Sequence, residues 1–278
     1  MSNTLIIDTS FGSTVGIVGH EPIVETDSRT HVERLQVNIA KVVEAAGLQP
    51  SDINRVVVGV GPAPFTGLRA GLVAAKAIAF AQNAQILGCD SLLPQSLMMR
   101  SGAFEEAVKN GVICKDLLLN IPDSVDSVDS CDSNIRHYVL SLNDARRRQV
   151  YMSLYDDEGN ALINMDIDYP QNVVTRVNEY LTSKTNENYC VDVLGHGAKK
   201  YVEDWLDIAH IGVIAEVCAL DLGVQGLQIF EQCSLECANK DEHVKAVEPL
   251  YLRRPDVSVP NPLKHVLGSG EANKAKEK

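Results

Sequence analysis

The sequence predicts an α/β protein built of two halves, each with strands first and helices after. Three observations predict it. Short apolar runs of strand length, Leu5-Ile6-Ile7 and Val56-Val57-Val58-Gly59-Val60, alternate with stretches whose apolar residues recur at helical spacing. The same succession restarts at Tyr138-Val139-Leu140-Ser141-Leu142, after a region beyond residue 110 where the pattern weakens. The chain has 278 residues, 45% of them apolar, which is enough for a sizeable core in one or two domains.

The first apolar run stops at Asp8-Thr9-Ser10. Phe11-Gly12-Ser13 is turn chemistry and Thr14-Val15-Gly16-Ile17-Val18 reads as a returning strand, so a β-hairpin carries an Asp and two hydroxyls in its bend. Residues 23–27 suit a third strand. Thr30 and Glu33 fit a capping box, and Val32, Leu35, Ile39, Val42, Val43 and Ala46 keep the 3.6-residue period up to Gly47. The unbroken run Val56–Val60 suits a sheet covered on both faces. Gly61-Pro62-Ala63-Pro64-Phe65-Thr66-Gly67 is a rigid loop feeding a helix over 67–82, with Thr66 as its expected cap. Gly67, Gly71, Ala75 and Ala79 recur every four residues there, a small-residue stripe that lets another helix approach closely. Ile86-Leu87-Gly88 is a further strand, and Ser91 is expected to cap the helix that tolerates Pro94 in its first turn. In the second half, Gln149–Tyr155 alternates as a strand, a helix follows over 172–183, and Val191-Asp192-Val193-Leu194 is a strand. Residues 214–238 read as helical. The tail from Lys264 to Lys278 is polar and Lys-rich, and is expected to be disordered.

Between Lys115 and Arg136 no basic residue occurs, and Asp recurs every third position from Asp123 to Asp132. On a helix these carboxylates would repel one another, and the spacing does not fit an EF-hand loop, so a disordered acidic insert is expected. Over the whole chain 25 Lys and Arg face 37 Asp and Glu, a net charge of −12 that repels a phosphate backbone. Unaided nucleic-acid binding is therefore not expected. No run approaches the roughly 18 apolar residues of a membrane span, and the N-terminus lacks a signal peptide's basic start, so a cytoplasmic protein away from membranes is expected. Seven Cys, an odd number without a CxxC pair, fit reduced thiols. Cys233 and Cys237, four apart on a helix, make only half of a metal set.

Few motifs carry chemistry. A hairpin bend such as Asp8-Thr9-Ser10 can present amides to phosphate while its Asp holds a hydrated cation. Gly61–Gly67 has five residues between its glycines and no Lys after the second, so it is not a Walker loop. Gly195-His196-Gly197 lacks the third glycine of a dinucleotide fingerprint. No two histidines lie three to five residues apart, no GxSxG elbow occurs, and Arg146-Arg147-Arg148 reads as a solvated face. From spacing alone, neither a catalytic residue nor a metal ligand set is expected.

Several segments together resemble one family. They are Leu5-Ile6-Ile7-Asp8-Thr9-Ser10, His31 with its helix, Gly61-Pro62-Ala63-Pro64-Phe65-Thr66-Gly67-Leu68-Arg69-Ala70-Gly71, Asp144-Ala145-Arg146 with Val150-Tyr151, and Glu248-Pro249-Leu250-Tyr251-Leu252-Arg253. The chain resembles the TsaB (YeaZ) family of the bacterial tRNA threonylcarbamoyladenosine pathway, through residues 1–100 and two later motifs. The resemblance implies an actin-like, ribonuclease H-like fold with lobes at 1–110 and 136–257, set around the acidic insert at 111–135 and followed by the tail at 258–278 that composition marks. It implies a non-catalytic subunit of the transferase complex, pairing with the catalytic paralogue TsaD and the ATPase TsaE. Transfer of threonylcarbamoyl goes to the adenosine beside the anticodon, and tRNA is met only through the complex. Alone, such a protein self-associates through the same surface. The implied partner surface takes His31, Leu35, Ile39 and Val42 from the first helix. It takes Phe65, Thr66, Gly67, Leu68 and Arg69 from the loop, and Gly71, Ala75 and Ala79 from the second helix. Asp8, Thr9 and Ser10 remain a nucleotide-loop-like bend, with weak ATP or ADP and magnesium at most and no tightly bound cofactor. The paralogue's helical histidine pair is reduced here to His31, and no Gly-Gly pair supplies a second phosphate loop. Ala63-Pro64 replaces the family's commoner Gly-Ser, and the acidic insert and Arg147-Arg148 depart from its pattern. The rival readings are an ATPase or small-molecule kinase of the same fold, with Asp8 positioning magnesium, and a metallopeptidase, which needs ligands that the spacing does not supply.

Overall fold

A computed structural model of the chain describes residues 2–27, 31–120, 135–184, 188–240 and 247–253. β1 (Thr4–Asp8), β2 (Ser13–Ile17) and β3 (Ile23–Glu25) form an antiparallel meander. α1 (His31–Ala45) leads to β4 (Arg55–Gly59), parallel to β1, and α2 (Phe65–Gln82) leads to β5 (Gln85–Cys89), parallel to β4. α3 (Leu93–Arg100), α4 (Ala103–Lys109) and β6 (Leu118–Asn120) follow. A second meander, β7 (Arg136–Asp144), β8 (Val150–Tyr155) and β9 (Ala161–Asp168), is followed by α5 (Pro170–Lys184) and β10 (Tyr189–His196), which is parallel to β7. α6 (Val202–Trp205), β11 (Ile211–Ala215), parallel to β10, and α7 (Val224–Lys240) complete the order.

The strand orders are β3-β2-β1-β4-β5 and β6-β11-β10-β7-β8-β9. Read from the meander inward, the second sheet repeats the first, with β6 added antiparallel to β11. This is the actin-like, ribonuclease H-like α/β fold, two related lobes of mixed sheets flanked by helices.

Alternation along each central strand builds three cores. Leu5, Ile7, Val56 and Val58 face α1 and α2 with Leu35, Ile39, Leu68 and Ala75. Ile6 and Val57 point the other way, into a layer shared with Met98 of α3, Phe104 of α4, Leu227 and Phe230 of α7, and Val139, Leu194 and Val213 of the second sheet. Leu140, Leu142, Val191 and Val193 face α5 and α6, around the buried Trp205. The uninterrupted apolar run at 56–58 is thus buried on both faces, as its pattern requires.

Several local expectations are corrected. α2 begins at Phe65, after Pro64, so Thr66 lies inside its first turn and does not cap it. Ser91 does not cap α3. Leu92 takes the N-cap position without a side-chain cap, and Asp90 Oδ1 accepts the Leu92 and Leu93 amides at 2.9 and 2.7 Å in the turn before the helix. The helix expected over 214–238 is split into β11, a 3-10 turn at Ala219–Leu222, and α7, because the β-branched run Ile211–Ala215 finds a parallel partner in the buried β10. Within the stretch expected as an acidic insert, Leu118–Asn120 is a strand. The Asp repeat itself, the Thr30 cap and the tail lie outside the described residues.

The small-residue stripe is also corrected. Gly67, Gly71, Ala75 and Ala79 are buried within the chain, where they let α2 settle onto its own sheet. A Cβ on Gly71 would stand 2.5 Å from Thr9 Oγ1. Replacing Gly71 with Leu recovers helix propensity worth about 0.8–1 kcal/mol but overpacks this contact at a cost of about 1–3 kcal/mol. Gly71→Leu is therefore expected to lower the denaturant midpoint of unfolding in the isolated protein.

Candidate functional site

The hairpin bend and the carboxyl ends of the second lobe's parallel strands meet in a cleft lined by Asp8, Ser10, Phe11, Ser91, Gln95, His196, Cys218 and Asp221. Ligands of open α/β sheets collect at such strand ends. Asp8 closes β1 and is buried. Its Oδ2 accepts the Ser10 hydroxyl at 2.5 Å and its Oδ1 the Ser91 hydroxyl at 2.9 Å. Burial pushes the Asp8 carboxyl above its ordinary value, against the two serines and the charge of His196. Thr9 points away from the cleft toward α2, its hydroxyl without a hydrogen-bond partner among the described residues.

His196 ends β10. Its Nδ1 faces Cys218 Sγ at 3.2 Å and its Nε2 faces Asp221 Oδ2 at 3.4 Å. The same Asp221 oxygen accepts the Cys218 amide at 2.7 Å, which ties the carboxylate to the turn carrying the thiol. Burial opposes charge on the imidazole, but Cys218 and Asp221 outweigh it and hold the ring well above its ordinary range. Burial raises the Cys218 thiol, and the facing imidazole draws it only part of the way back. Thiol, imidazole and carboxylate stand in the order of nucleophile, base and orienter.

The cleft is spanned from above. Phe11, on the hairpin bend of the first lobe, stacks on the His196 ring with centroids 3.8 Å apart and planes inclined by 18°. The bend that would meet a phosphate is bridged to the second lobe by an aromatic pair, and its carboxylate is committed to two serines.

A second convergence lies behind the cleft, at the strap of residues 247–253. The Leu250 amide donates to the Val60 carbonyl at 2.8 Å. Tyr251 packs against Phe65 with centroids 5.1 Å apart and planes tilted by 31°, and its hydroxyl accepts Arg69 Nε at 2.8 Å, while the Arg69 guanidinium lies 3.7 Å from the Phe65 centroid. Arg253 Nη1 donates to the Ala145 carbonyl at 2.9 Å, and its Nη2 to the Gln149 side chain. Three motifs far apart in the sequence, 61–71, 144–146 and 248–253, therefore form one joint between the lobes. Asp144 pairs with Lys200 at 2.9 Å, and Arg146, Arg147 and Arg148 make the exposed turn beyond it, all three with left-handed backbone.

The residues expected at a partner surface divide. Leu35, Ile39, Val42, Gly67, Leu68, Gly71, Ala75 and Ala79 are buried in the chain's own core, since the apolar stripe of a surface helix faces its own sheet first. Thr66 and Arg69 are exposed and Phe65 is half-buried, while the His31 side chain lies outside those described. The exposed apolar residues of this face are Val37 on α1 and Val73 and Phe80 on α2, the last 90% exposed. The cleft partners Cys218 and Asp221 carry no sequence signal beyond a cap-like Cys-x-x-Asp. Spacing gave no sign of two groupings that the fold brings together, His196 with Cys218 and Asp221, and His137 with Cys190 and Asp192, whose His, Cys and Asp donor atoms lie within 4.8 Å of one another.

A family model described as TsaD, tRNA N6-adenosine threonylcarbamoyltransferase, matches residues 18–106. An uncharacterized protein of Mycobacterium tuberculosis is 40% identical over 99 residues, 33% of this chain and 47% of that protein. The match thus spans about half the length of that curated relative. The tRNA threonylcarbamoyladenosine biosynthesis protein TsaB of Bacillus subtilis is 25% identical over 185 residues, 64% of this chain and 63% of that protein. Among solved structures, YeaZ from Pseudomonas aeruginosa superposes with a TM-score of 0.58 at 18% identity, over 91% of this chain and 100% of that one. At that identity the likeness is one of fold. The chain is similar to TsaB (YeaZ) proteins along most of its length, and to TsaD in its first lobe.

Beside Cys218, Asp221 is one of the two groups that raise the His196 pKa, and Asp221→Asn removes its charge while keeping an acceptor for the Cys218 amide. A pKa raised by folding contributes stability that is full below the unfolded-state value, about 6.5 for His, and is lost as pH rises toward the folded value. The variant is therefore expected to lose most stability relative to the parent near about pH 6 and progressively less on raising the pH, as read from denaturant unfolding at several pH values.

Proposed function

We propose that this chain is a TsaB-type subunit of bacterial tRNA threonylcarbamoyladenosine synthesis. In this reading it is a non-catalytic partner that docks a TsaD-type paralogue and, with a TsaE-type ATPase, supports threonylcarbamoyl transfer to tRNA in the cytoplasm. What supports this reading most is the surface of α2. Only Arg69 and Lys76 are charged among its 18 residues. One face is covered by the chain's own sheet. The other carries Val73, Ala77 and Phe80 at i, i+4 and i+7, all exposed, with the exposed Arg69 and Lys76 on the same face, and Val37 is exposed on α1. A single exposed apolar residue is ordinary, but an aligned stripe on an already apolar helix is the mark of a docking surface. This stripe takes the place of the buried one expected from the sequence.

The same segment lies within the TsaD-type match, so two related α1–α2 faces can pack as pseudo-symmetric halves of a heterodimer. In the absence of a TsaD-type partner, a second copy of the chain can occupy the same face. Among the described residues no helix is long and apolar enough to cross a membrane. The kinase alternative requires a hairpin open to phosphate, and here Phe11 covers the bend and two serines engage Asp8.

Phe80→Asp places a charge in the centre of the stripe without touching the core. Hot-spot residues contribute about 2 kcal/mol or more, so this variant is expected to weaken co-purification with TsaD on the order of 30-fold while leaving the unfolding midpoint unchanged. Undiminished capture of TsaD by Phe80→Asp would refute the assigned surface. Calorimetric titration with ATP and magnesium is expected to give no turnover. Turnover abolished in Asp8→Ala would establish the kinase reading instead.

A further inference from the structure

The first residues of β7 and β10 carry a side-chain cluster away from both the cleft and the α1–α2 face. The parallel register pairs His137 with Cys190, and the two-residue period of β10 puts Asp192 on the same face as Cys190. His137 Nδ1 stands 2.8 Å from Asp192 Oδ2 and 3.1 Å from Cys190 Sγ. Both partners are nearest the same ring nitrogen, but the sulfur also stands 3.7 Å from Nε2, over the ring, so a turn of the His137 ring is needed to aim the Nδ1 lone pair between thiol and carboxylate. The cleft cluster differs. Cys218 lies on Nδ1 of His196 and Asp221 on Nε2, so a single ion cannot replace both contacts.

The surroundings are shaped for these ligands. On the neighbouring β11 a Cβ at Gly212 would stand 2.3 Å from Asp192 Oδ1 and 3.4 Å from Cys190 Sγ, so glycine there makes room for both. Asp192 is 1% exposed, and its Oδ1 accepts the Val213 amide at 2.8 Å, which leaves Oδ2 directed at His137. An outer hydrogen bond of this kind orients a ligating carboxylate. The His137 side chain is about half exposed, so an ion and a water have access from solvent.

We propose that His137, Cys190 and Asp192 bind one divalent transition metal of the zinc class, with a fourth position open to water. A thiolate, an imidazole and a carboxylate suit zinc or cobalt rather than magnesium or calcium. Tetrahedral bond lengths place these donors about 3.4–3.6 Å apart, so on binding the donors separate by about half an ångström and the half-exposed His137 ring turns toward the ion. Binding displaces the Cys190 thiol proton and the proton held between His137 and Asp192 to solvent, and the ion takes their place. The ion clamps the starts of β7 and β10. This inference does not depend on the proposed partner.

The test is titration of the full-length protein with Co²⁺, followed by the thiolate-to-cobalt charge-transfer absorption and then by displacement with Zn²⁺. One equivalent is expected in the parent. His137→Ala and Cys190→Ser should each lower the affinity on the order of 100-fold or lose the band, while Cys218→Ser retains it. Zn²⁺ should raise the melting temperature of the parent and of Cys218→Ser but not of Cys190→Ser. Absence of the band in the parent, its persistence in Cys190→Ser, or its loss in Cys218→Ser would overturn the assignment. Circular dichroism of the metal-free variants separates loss of the ligand from loss of the fold.

Discussion

The two lobes are held at a set separation by one shared apolar layer, and the rest of the molecule follows from where that layer puts their facing ends. α7 leaves the second lobe and returns to the first, so Leu227 and Phe230 enter the same core as Ile6 and Val57 on one side and Val139 and Leu194 on the other. Interiors pack at crystal-like density and transmit displacement, so neither sheet can shift without repacking this layer. With the separation set, Phe11 reaches His196 across the cleft, and the strap of 247–253 reaches from Phe65 to Ala145.

The strap reinforces that layer at the opposite edge. Leu252 packs with Leu92, Ala145, Tyr151 and Tyr155, while Arg253 holds the β7–β8 turn and Tyr251 holds the start of α2. The arginine makes directional hydrogen bonds to a backbone carbonyl and an amide, a geometry that a lysine cannot reproduce. Three of the motifs that carry the family resemblance, 61–71, 144–146 and 248–253, are thus parts of one interlobe joint. That joint also orients α2, whose outer face offers Val73 and Phe80 to a partner.

Much of the fold was legible because its signals are local. The hairpin at Asp8, the amphipathic helix after His31, the doubly buried strand at 56–58 and the restart near residue 138 depend on the spacing of apolar residues and on turn chemistry. The failures share a physical cause. Gly67, Gly71, Ala75 and Ala79 specify a close approach, but a stripe does not say whether the approaching surface is the chain's own sheet or another molecule, and here Thr9 is the neighbour. Ile211–Ala215 has no local feature that separates a buried strand from a helix, and the vacancy beside β10 decided it. Ser91 does not cap α3 because its hydroxyl is drawn to Asp8, and Leu92 stands at the helix start instead.

By itself the sequence determined the succession of strands and helices, the two halves and the set of motifs that marks the family resemblance, since each is written in neighbouring residues. Only the tertiary structure decided which faces are inside, and which distant side chains meet. His137 with Cys190 and Asp192, and His196 with Cys218 and Asp221, are brought together by strand register and by the turn that follows β11. Such proximity has no trace in sequence spacing, because parallel strands place residues side by side that lie 53 positions apart along the chain.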